Sequence, residues 1–423
     1  MIKRHHIRDT LPLADAIVNP NQAGDLFPGK NSAGVGVIFY VMLALRRFLL
    51  DQEWFVQQNI PSPNMSSLLD LVALGTVADV VPLDHNNRVL VSQGLRRIRA
   101  GLCVPGISAL LEIAGRNQAR LVAQDLGFAV APRLNAAGRL DDMSLGIACL
   151  LTDDLAEARQ MAGVLNQLNE ERRVIEQNMQ EQAMEALNKL HLDKATLPSG
   201  IALFDEHWHQ GVIGIVASRI KDRFHRPVIA FAPGAEGELK GSARSISGLH
   251  IRDVLAQVHS RYPDMIRKFG GHAMAAGLTI AKELFEHFSK AFNEVVALHV
   301  TEDILNNCLF SDGELSSDLF SLEVALLLRE AGPWGSAFPE PLFDGTFQIL
   351  DQRIVGNKHL KMTVVKENQI VGAIAFNVDL HLWPNYRCQN VRMAYRMDVN
   401  EFRGKRDVQL IVEHLEAAEC ENY

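Results

Sequence analysis

The 423-residue sequence is poor in the features that mark secreted and membrane proteins. Its five cysteines, Cys103, Cys149, Cys308, Cys388 and Cys420, are scattered, odd in number and never spaced as CxxC. That excludes a disulfide framework and a thiolate metal site, and it fits a reducing compartment, so a cytoplasmic location is expected. No run of about 18 apolar residues occurs, so no membrane span is expected. The opening, MIKRHHIRDT, is charged and has no apolar segment behind it, so no signal peptide is expected either. Low-complexity tracts and short-period repeats are missing. Positive charge is not in excess: 42 Lys and Arg face 50 Asp and Glu, a formal net charge of -8. That balance argues mildly against nucleic acid as a partner, yet a local basic groove is enough to hold a phosphate backbone.

What is present is an ordinary globular composition, 48% hydrophobic and 22% charged. The length suits roughly two to four domains. Over residues 1–150, short β-type runs alternate with helical stretches. DAIVNP reads as a strand ending at Pro20, AGVGVIFYVMLALRRFLL as a buried helix, and LLDLVALGTVADVVPL as a buried strand stopping at an acidic turn. Alternation of this kind predicts an α/β layer architecture with a parallel sheet. From about Asp153 to Lys194 the text has no Pro and a single Gly, with apolar residues at three- and four-residue steps. This is one long amphipathic helix, suited to bridging two domains. GIALFDEHWHQGVIGIVASRIKDRFHRPVIAFAP then reads as strand, turn, helix, strand, opening a second α/β unit. Beyond residue 303, several short strands with turn signals between them predict a small β-barrel or sandwich.

Several short stretches have residues suited to chemistry. His5 and His6 form an adjacent pair; imidazole is a common ligand for divalent metals, while a terminal pair is as easily a solvated one. Asp79, in LGTVADVVPL, reads either as a helix N-cap or as a carboxylate ligand aimed into a cleft. APRLNAAGRLDD reads as a polar loop with Arg133 and Arg139 around Asn135; guanidinium forks suit phosphate oxygens, and a surface turn with salt bridges is the plainer alternative. KGSARSISG offers Ser242 and Arg244 in a phosphate-gripping turn. KFGGHAMAAG offers Gly270 and Gly271 in a tight turn that presents His272 beside exposed N–H groups.

Taken in order, HH, DTLPLADAIVNPN, LDLVALGTVADVVPL, PRLNAAGRLDD, WHQGVIGIVASRI, KGSARS and KFGGHAMAAGL closely resemble the RecJ family of single-strand-specific 5′→3′ exonucleases, within the DHH phosphoesterase superfamily. The resemblance runs from His5 to about Leu415. It implies the C-terminal part of a DHH phosphoesterase domain with a partial parallel sheet over 1–150 and a connecting helix over 151–196. A DHHA1-type α/β domain over 197–302 and an OB-type nucleic-acid-binding barrel over 303–423 would come next. It implies two divalent metals, Mn2+ or Mg2+, with His5 and Asp79 as ligands and His6 contacting the scissile phosphate. Ser242 and Arg244 would grip a terminal phosphate, Arg133, Asn135 and Arg139 would line the strand path, and Gly270, Gly271 and His272 would close over the nucleic acid. Single-stranded DNA is the implied partner, with single-strand-binding protein and a recombination helicase beside it.

The sequence departs from the family in two respects. Arg4 stands where the family's motif has an Asp before the His pair, and the family's other acidic motifs, which precede that pair, do not occur. A two-metal site needs bridging carboxylates to hold its ions ~3.5–4 Å apart. His5 and Asp79 supply at most two ligands. The expectation is an N-terminally truncated nuclease, inactive or impaired as written. The alternative is a non-catalytic single-stranded-DNA-binding or accessory protein. A DHH phosphoesterase for short oligonucleotides, cyclic dinucleotides or polyphosphate is a third reading, disfavoured by the β-rich region after residue 305. In that region Arg403, Lys405 and Arg406 surround Gly404 and are either contacts for the DNA backbone phosphates or a solvated basic hairpin, and Trp334 and Phe338 are either base-stacking groups or, the favoured choice, core residues of the barrel or its interface.

Overall fold

The computed structural model describes residues 14–140, 142–189, 197–235, 237–271, 273–306, 308–402 and 404–418. The chain divides into two compact units: residues 1–169 with 310–423, and residues 170–309.

The first unit begins as a helical body. Its helices are α1 (Gly34–Asp51), α2 (Trp54–Gln57), α3 (Leu69–Ala78), α4 (His85–Arg99) and α5 (Pro105–Ile113). They are followed by α6 (Ala123–Asp125), a π-helical turn (Leu126–Val130) that runs into α7 (Ala131–Leu140), α8 (Ser144–Leu151) and the start of α9 (Leu155–Lys189), whose residues from Glu170 on belong to the second unit. Local signals fix the ends. Asp84 caps α4 by accepting from the Asn87 N–H at 2.9 Å, and Pro105 opens α5, where its missing N–H costs nothing. Leu95, Ile98, Ile107, Leu110, Leu121 and Leu126 meet in the core. Asp70, fully buried, ties two helices by accepting the Val104 N–H at 2.8 Å. At Gly94 the backbone of α4 lies so close to α3 that an added Cβ would sit 2.2 Å from the Leu69 carbonyl oxygen.

Here the structure corrects three local expectations. DAIVNP forms no strand: Val18 makes an isolated bridge only. LDLVALGTVA is helix α3, not a strand, and APRLNAAGRL is helix α7, not a loop. Short apolar runs buried all round look alike as helix or strand, and here the Leu and Ala content decides for helix. Among the described residues the sheet expected before residue 150 is therefore absent, and the α/β character of the chain resides in its second unit. The long helix, by contrast, is present as α9, 35 residues long.

The second unit has a five-stranded sheet of β1 (Ile201–Phe204), β2 (Val228–Pro233), β3 (Glu238–Arg244), β4 (Lys268–Gly271) and β5 (Ala275–Ala281), in the order β1-β2-β3-β5-β4. β1 and β2 are parallel, joined through α10 (Ile213–Phe224), and the other pairs are antiparallel. One face packs Phe231, Leu278 and Ile280 against α11 (Ile251–Arg261) and α12 (Phe285–Ala297), with the short α13 (Glu302–Leu305) beyond. On the other face, Ile213, Val216, Ala217 and Ile220 of α10 cover Val228, Ala230 and Ala232 of β2.

Returning to the first unit, the chain forms α14 (Leu322–Ala331) and a closed barrel of β6 (Phe343–Val355), β7 (His359–Lys366), β8 (Gln369–Ala375), β9 (Asn390–Phe402) and β10 (Lys405–Ala418). The barrel order is β10-β8-β7-β6-β9. Closure removes the sheet edges, and alternate residues such as Val391, Met393, Tyr395 and Met397 fill the interior. Gly404, at φ +79, makes the two-residue β9–β10 turn.

The barrel is seated on the helical body within this unit. The Leu83 N–H donates to the Ser336 carbonyl at 2.7 Å. Phe338 packs on the helical core, sandwiched between Trp334 (stacked, centroids 5.1 Å apart) and the Arg88 guanidinium 4.1 Å from its ring. Trp334 and Phe338 are thus interface residues. Among the described residues no helix is long and apolar enough to cross a membrane.

Candidate nucleic-acid interface

The sheet of the second unit carries most of the describable site. β3 alternates, with Leu239, Gly241 and Ala243 buried and Lys240, Ser242 and Arg244 half-buried on the opposite face. Directly paired residues of antiparallel strands share a face. Ser242 pairs with Gly277, and Gly277 with Gly270, so these three form one row across β3, β5 and β4. The neighbouring row is Lys240, Thr279 and Lys268. A Cβ added at Gly270 would meet nothing within 4 Å, and one at Gly277 only the Gly241 carbonyl at 3.9 Å. Glycine inside a strand weakens it and commonly marks close approach of a ligand or another backbone. Two such glycines in register make a bare backbone floor.

Cationic and hydrogen-bonding groups flank that floor. Arg244 donates to Ser242 Oγ at 3.0 Å and to the Ala243 carbonyl at 2.9 Å. Burial pushes the Arg244 guanidinium pKa down, but arginine stays cationic at neutral pH. Lys240 Nζ donates to Thr279 Oγ1 at 3.0 Å and lies 3.2 Å from the Glu238 carboxylate. The Arg267 guanidinium, followed by Lys240, holds Glu238 below the usual carboxylate range. Lys268 is exposed.

The first turn of α10 completes the arrangement. No side chain caps it, and the leading N–H groups of a helix have no partner inside the helix. A Cβ added at Gly214 would lie 2.8 Å from Arg244 Nη2 and 3.3 Å from Ser242 Oγ. The helix start, the guanidinium and the hydroxyl therefore converge, an arrangement suited to an oxyanion. Residue chemistry alone does not single out Gly214. The only signal is a pair of glycines in WHQGVIG, and their meaning depends on a strand about 30 residues away.

The other expected site residues have varied placements. Ser242 and Arg244 lie on a strand, not in a turn, and Gly270 and Gly271 end β4. Gly271 has φ +148, and a Cβ there would sit 2.4 Å from the Ala275 carbonyl oxygen, so glycine is required. Arg133 points inward: it is 9% exposed and donates to the Ala129 carbonyl at 2.6 Å and to Asn166 Oδ1 of α9 at 3.0 Å. Asn135 is exposed, as expected for a helix position 200° from Arg133 at about 100° per residue. Asp79 is the exposed C-cap of α3, so it ends a helix and caps no N-terminus. A carboxylate there opposes the helix dipole, which means that α3 gains nothing from it by this route. Lys405 is exposed, while Arg406 is paired with Glu401 at 2.9 Å, and Glu401 also receives Arg120 from the helical body. His5, His6, His272, Arg403 and the side chain of Arg139 lie outside the described residues.

The donor set for two divalent ions is not assembled among the described residues. No group of three or more His, Cys, Asp or Glu side chains there could hold a metal; His5 and His6, expected as partners of Asp79 in such a site, lie outside the described residues.

Comparison with known proteins bears on the same regions. A family model described as the DHHA1 domain matches residues 197–298, and one described as the RecJ OB domain matches residues 311–414. The single-stranded-DNA-specific exonuclease RecJ of Escherichia coli is 56% identical over 418 residues, covering 98% of this chain and 72% of the relative. That of Bacillus subtilis is 32% identical, covering 98% of this chain and 50% of the relative. The crystal structure of RecJ from Thermus thermophilus with Mn2+ superposes with a TM-score of 0.74 at 30% identity, covering 99% of this chain and 58% of that chain. With Mg2+ bound, the same protein gives 0.71 at 29% identity. The chain thus spans 72% of the E. coli relative and less than two thirds of the Thermus protein. It belongs to the RecJ family of single-stranded-DNA-specific exonucleases.

Proposed function

We propose that this chain serves RecJ-type, metal-dependent 5′→3′ hydrolysis of single-stranded DNA, and that its sheet face grips the strand. The observation that carries this reading is the row Ser242–Gly277–Gly270, with Arg244 and the uncapped start of α10 at one end. A phosphate seated there would receive hydrogen bonds from the guanidinium, the Ser242 hydroxyl and the first N–H groups of α10. The glycine floor would let the sugar–phosphate backbone approach the sheet. His272, next to Gly271, is proposed to close over the same strand, and the barrel to add affinity through Lys405 and Arg403. Single-strand-binding protein and a recombination helicase are the partners the family suggests.

The same reading holds that the 423-residue chain by itself binds DNA better than it cuts it. Its support is in the sequence, where Arg4 stands in place of the acid that the family has before the His pair. The test is fluorescence anisotropy with 5′-phosphorylated single-stranded DNA in EDTA, followed by a digestion assay with Mn2+. Tight binding in EDTA with weak cleavage in Mn2+ is expected. Absence of binding would refute the grip, and processive EDTA-sensitive cleavage would refute the impairment.

A further inference from the structure

Within the first unit, a cavity of about 140 Å³ lies where α4 and α14 meet the barrel. Its charged lining is Arg96, Arg99, Arg329 and Arg396 against Glu330, Glu340 and Asp398. Arg396 is committed: it pairs with Glu340 at 2.8 Å and with Glu413. Arg99 donates Nε–H to the Leu121 carbonyl at 2.8 Å, which leaves its terminal nitrogens over. Neither Arg96 nor Arg329 makes a side-chain hydrogen bond or ion pair among the described residues. We propose that this seam is a second phosphate-binding site, in which Arg96, Arg99 and Arg329 hold one phosphate group.

The three arginines sit near the last turns of α4 and α14, where cations complement the helix dipole. That explains why each is basic, but not why three line one cavity. Burial pushes the Arg99 pKa down; Glu330 opposes this, while Arg329 and Arg96 lower it further. Like charges are therefore close enough to be felt; with Glu340 taken up by Arg396, Glu330 and Asp398 are the carboxylates facing the three arginines. A bound oxyanion would offset this crowding, and guanidinium forks match phosphate oxygens in pairs. The cavity has room for several waters, and so for a phosphate group.

Because the sheet face of the other unit is also proposed to bind phosphate, the test removes that site first. In an R244Q background of the 423-residue chain, 31P line broadening and thermal shift would be monitored at constant ionic strength. Inorganic phosphate, thymidine 5′-monophosphate and the phosphodiester TpT would each be titrated. Saturable binding that weakens at least tenfold on adding R96Q and R329Q is expected. Preference for phosphate and the monophosphate would identify a free or terminal phosphate as ligand, and preference for TpT an internal phosphate of a strand; either supports the site. No saturable response to any of the three, or an affinity indifferent to R96Q and R329Q, would overturn it. Both side chains lack partners, so folding should survive, checked by the melting temperature in chloride; R329Q alone serves if the pair proves unstable. Failure here leaves the sheet grip standing, since that is measured by DNA binding with Arg244 in place.

Discussion

Gly214→Ala separates folding from binding at the sheet. The new methyl carbon would lie 2.8 Å from Arg244 Nη2 and 3.3 Å from Ser242 Oγ, both ends of side chains that can swing away. In the fold the losses and gains nearly cancel. Alanine improves on glycine inside a helix by ~0.8–1 kcal/mol, less in a first turn. Displacing Arg244 from Ser242 costs about one hydrogen bond, ~0.5–1.5 kcal/mol. The melting temperature should therefore move by only a few degrees. For DNA the balance differs, because a displaced guanidinium loses a charge-assisted bond to phosphate worth about 1.5–3 kcal/mol, or roughly 10- to 150-fold in affinity. Anisotropy in EDTA with 5′-phosphorylated and 5′-hydroxyl oligonucleotides reads this directly. The loss should be larger for the phosphorylated strand and should match that of Arg244→Gln. An unchanged affinity at an unchanged melting temperature would refute the placement of Arg244 at the phosphate.

Gly277→Val adds a good strand former over open space; thermal stability should hold or rise while single-stranded DNA affinity falls, as calorimetry and anisotropy on one preparation would show. Gly94→Ala does the reverse. With the Leu69 carbonyl oxygen 2.2 Å from the added carbon, overpacking should cost about 1–3 kcal/mol or more in urea unfolding of the helical body, with DNA affinity of the folded fraction retained. His225 ends α10 at φ +49 with Nε2 3.1 Å from the Ile304 carbonyl oxygen, and burial pushes its pKa below 6.5. The unfolded chain then takes up the proton first. The stability it contributes is present above pH 6.5 and lost as pH falls through the folded value. Thermal melts between pH 7.5 and 5 should show that decline, and His225→Asn, which tolerates the left-handed conformation, should flatten it.

The sequence is most legible where its pattern is unambiguous. The strand–helix–strand of residues 201–233 stands out because β2 is buried on both faces, VIAFAP, and α10 has a single apolar stripe. The barrel strands alternate, as β7 does with Leu360, Met362 and Val364 inward. The helical body misleads at α3 because Val72, Ala73, Leu74 and Thr76 are buried around most of the helix, which erases the contrast that distinguishes helix from strand. At α7, small and polar residues suggest a loop, although Ala, Leu and Arg are good helix formers. Arg133 illustrates the limit for sites. Its fork looks made for phosphate, yet the helical context that directs it towards Ala129 and Asn166 is not visible in the sequence. Gly214, which touches Arg244, acquires meaning only when two segments meet in space.

The central claim is that the sheet face holds the DNA independently of metal. Its most direct measurement is the affinity of the 423-residue chain for 5′-phosphorylated single-stranded DNA in EDTA, beside that of Arg244→Gln. The account predicts clear binding by the parent chain and a loss of at least tenfold in the variant. Equal affinities, or binding that appears only when Mn2+ is added, would contradict it.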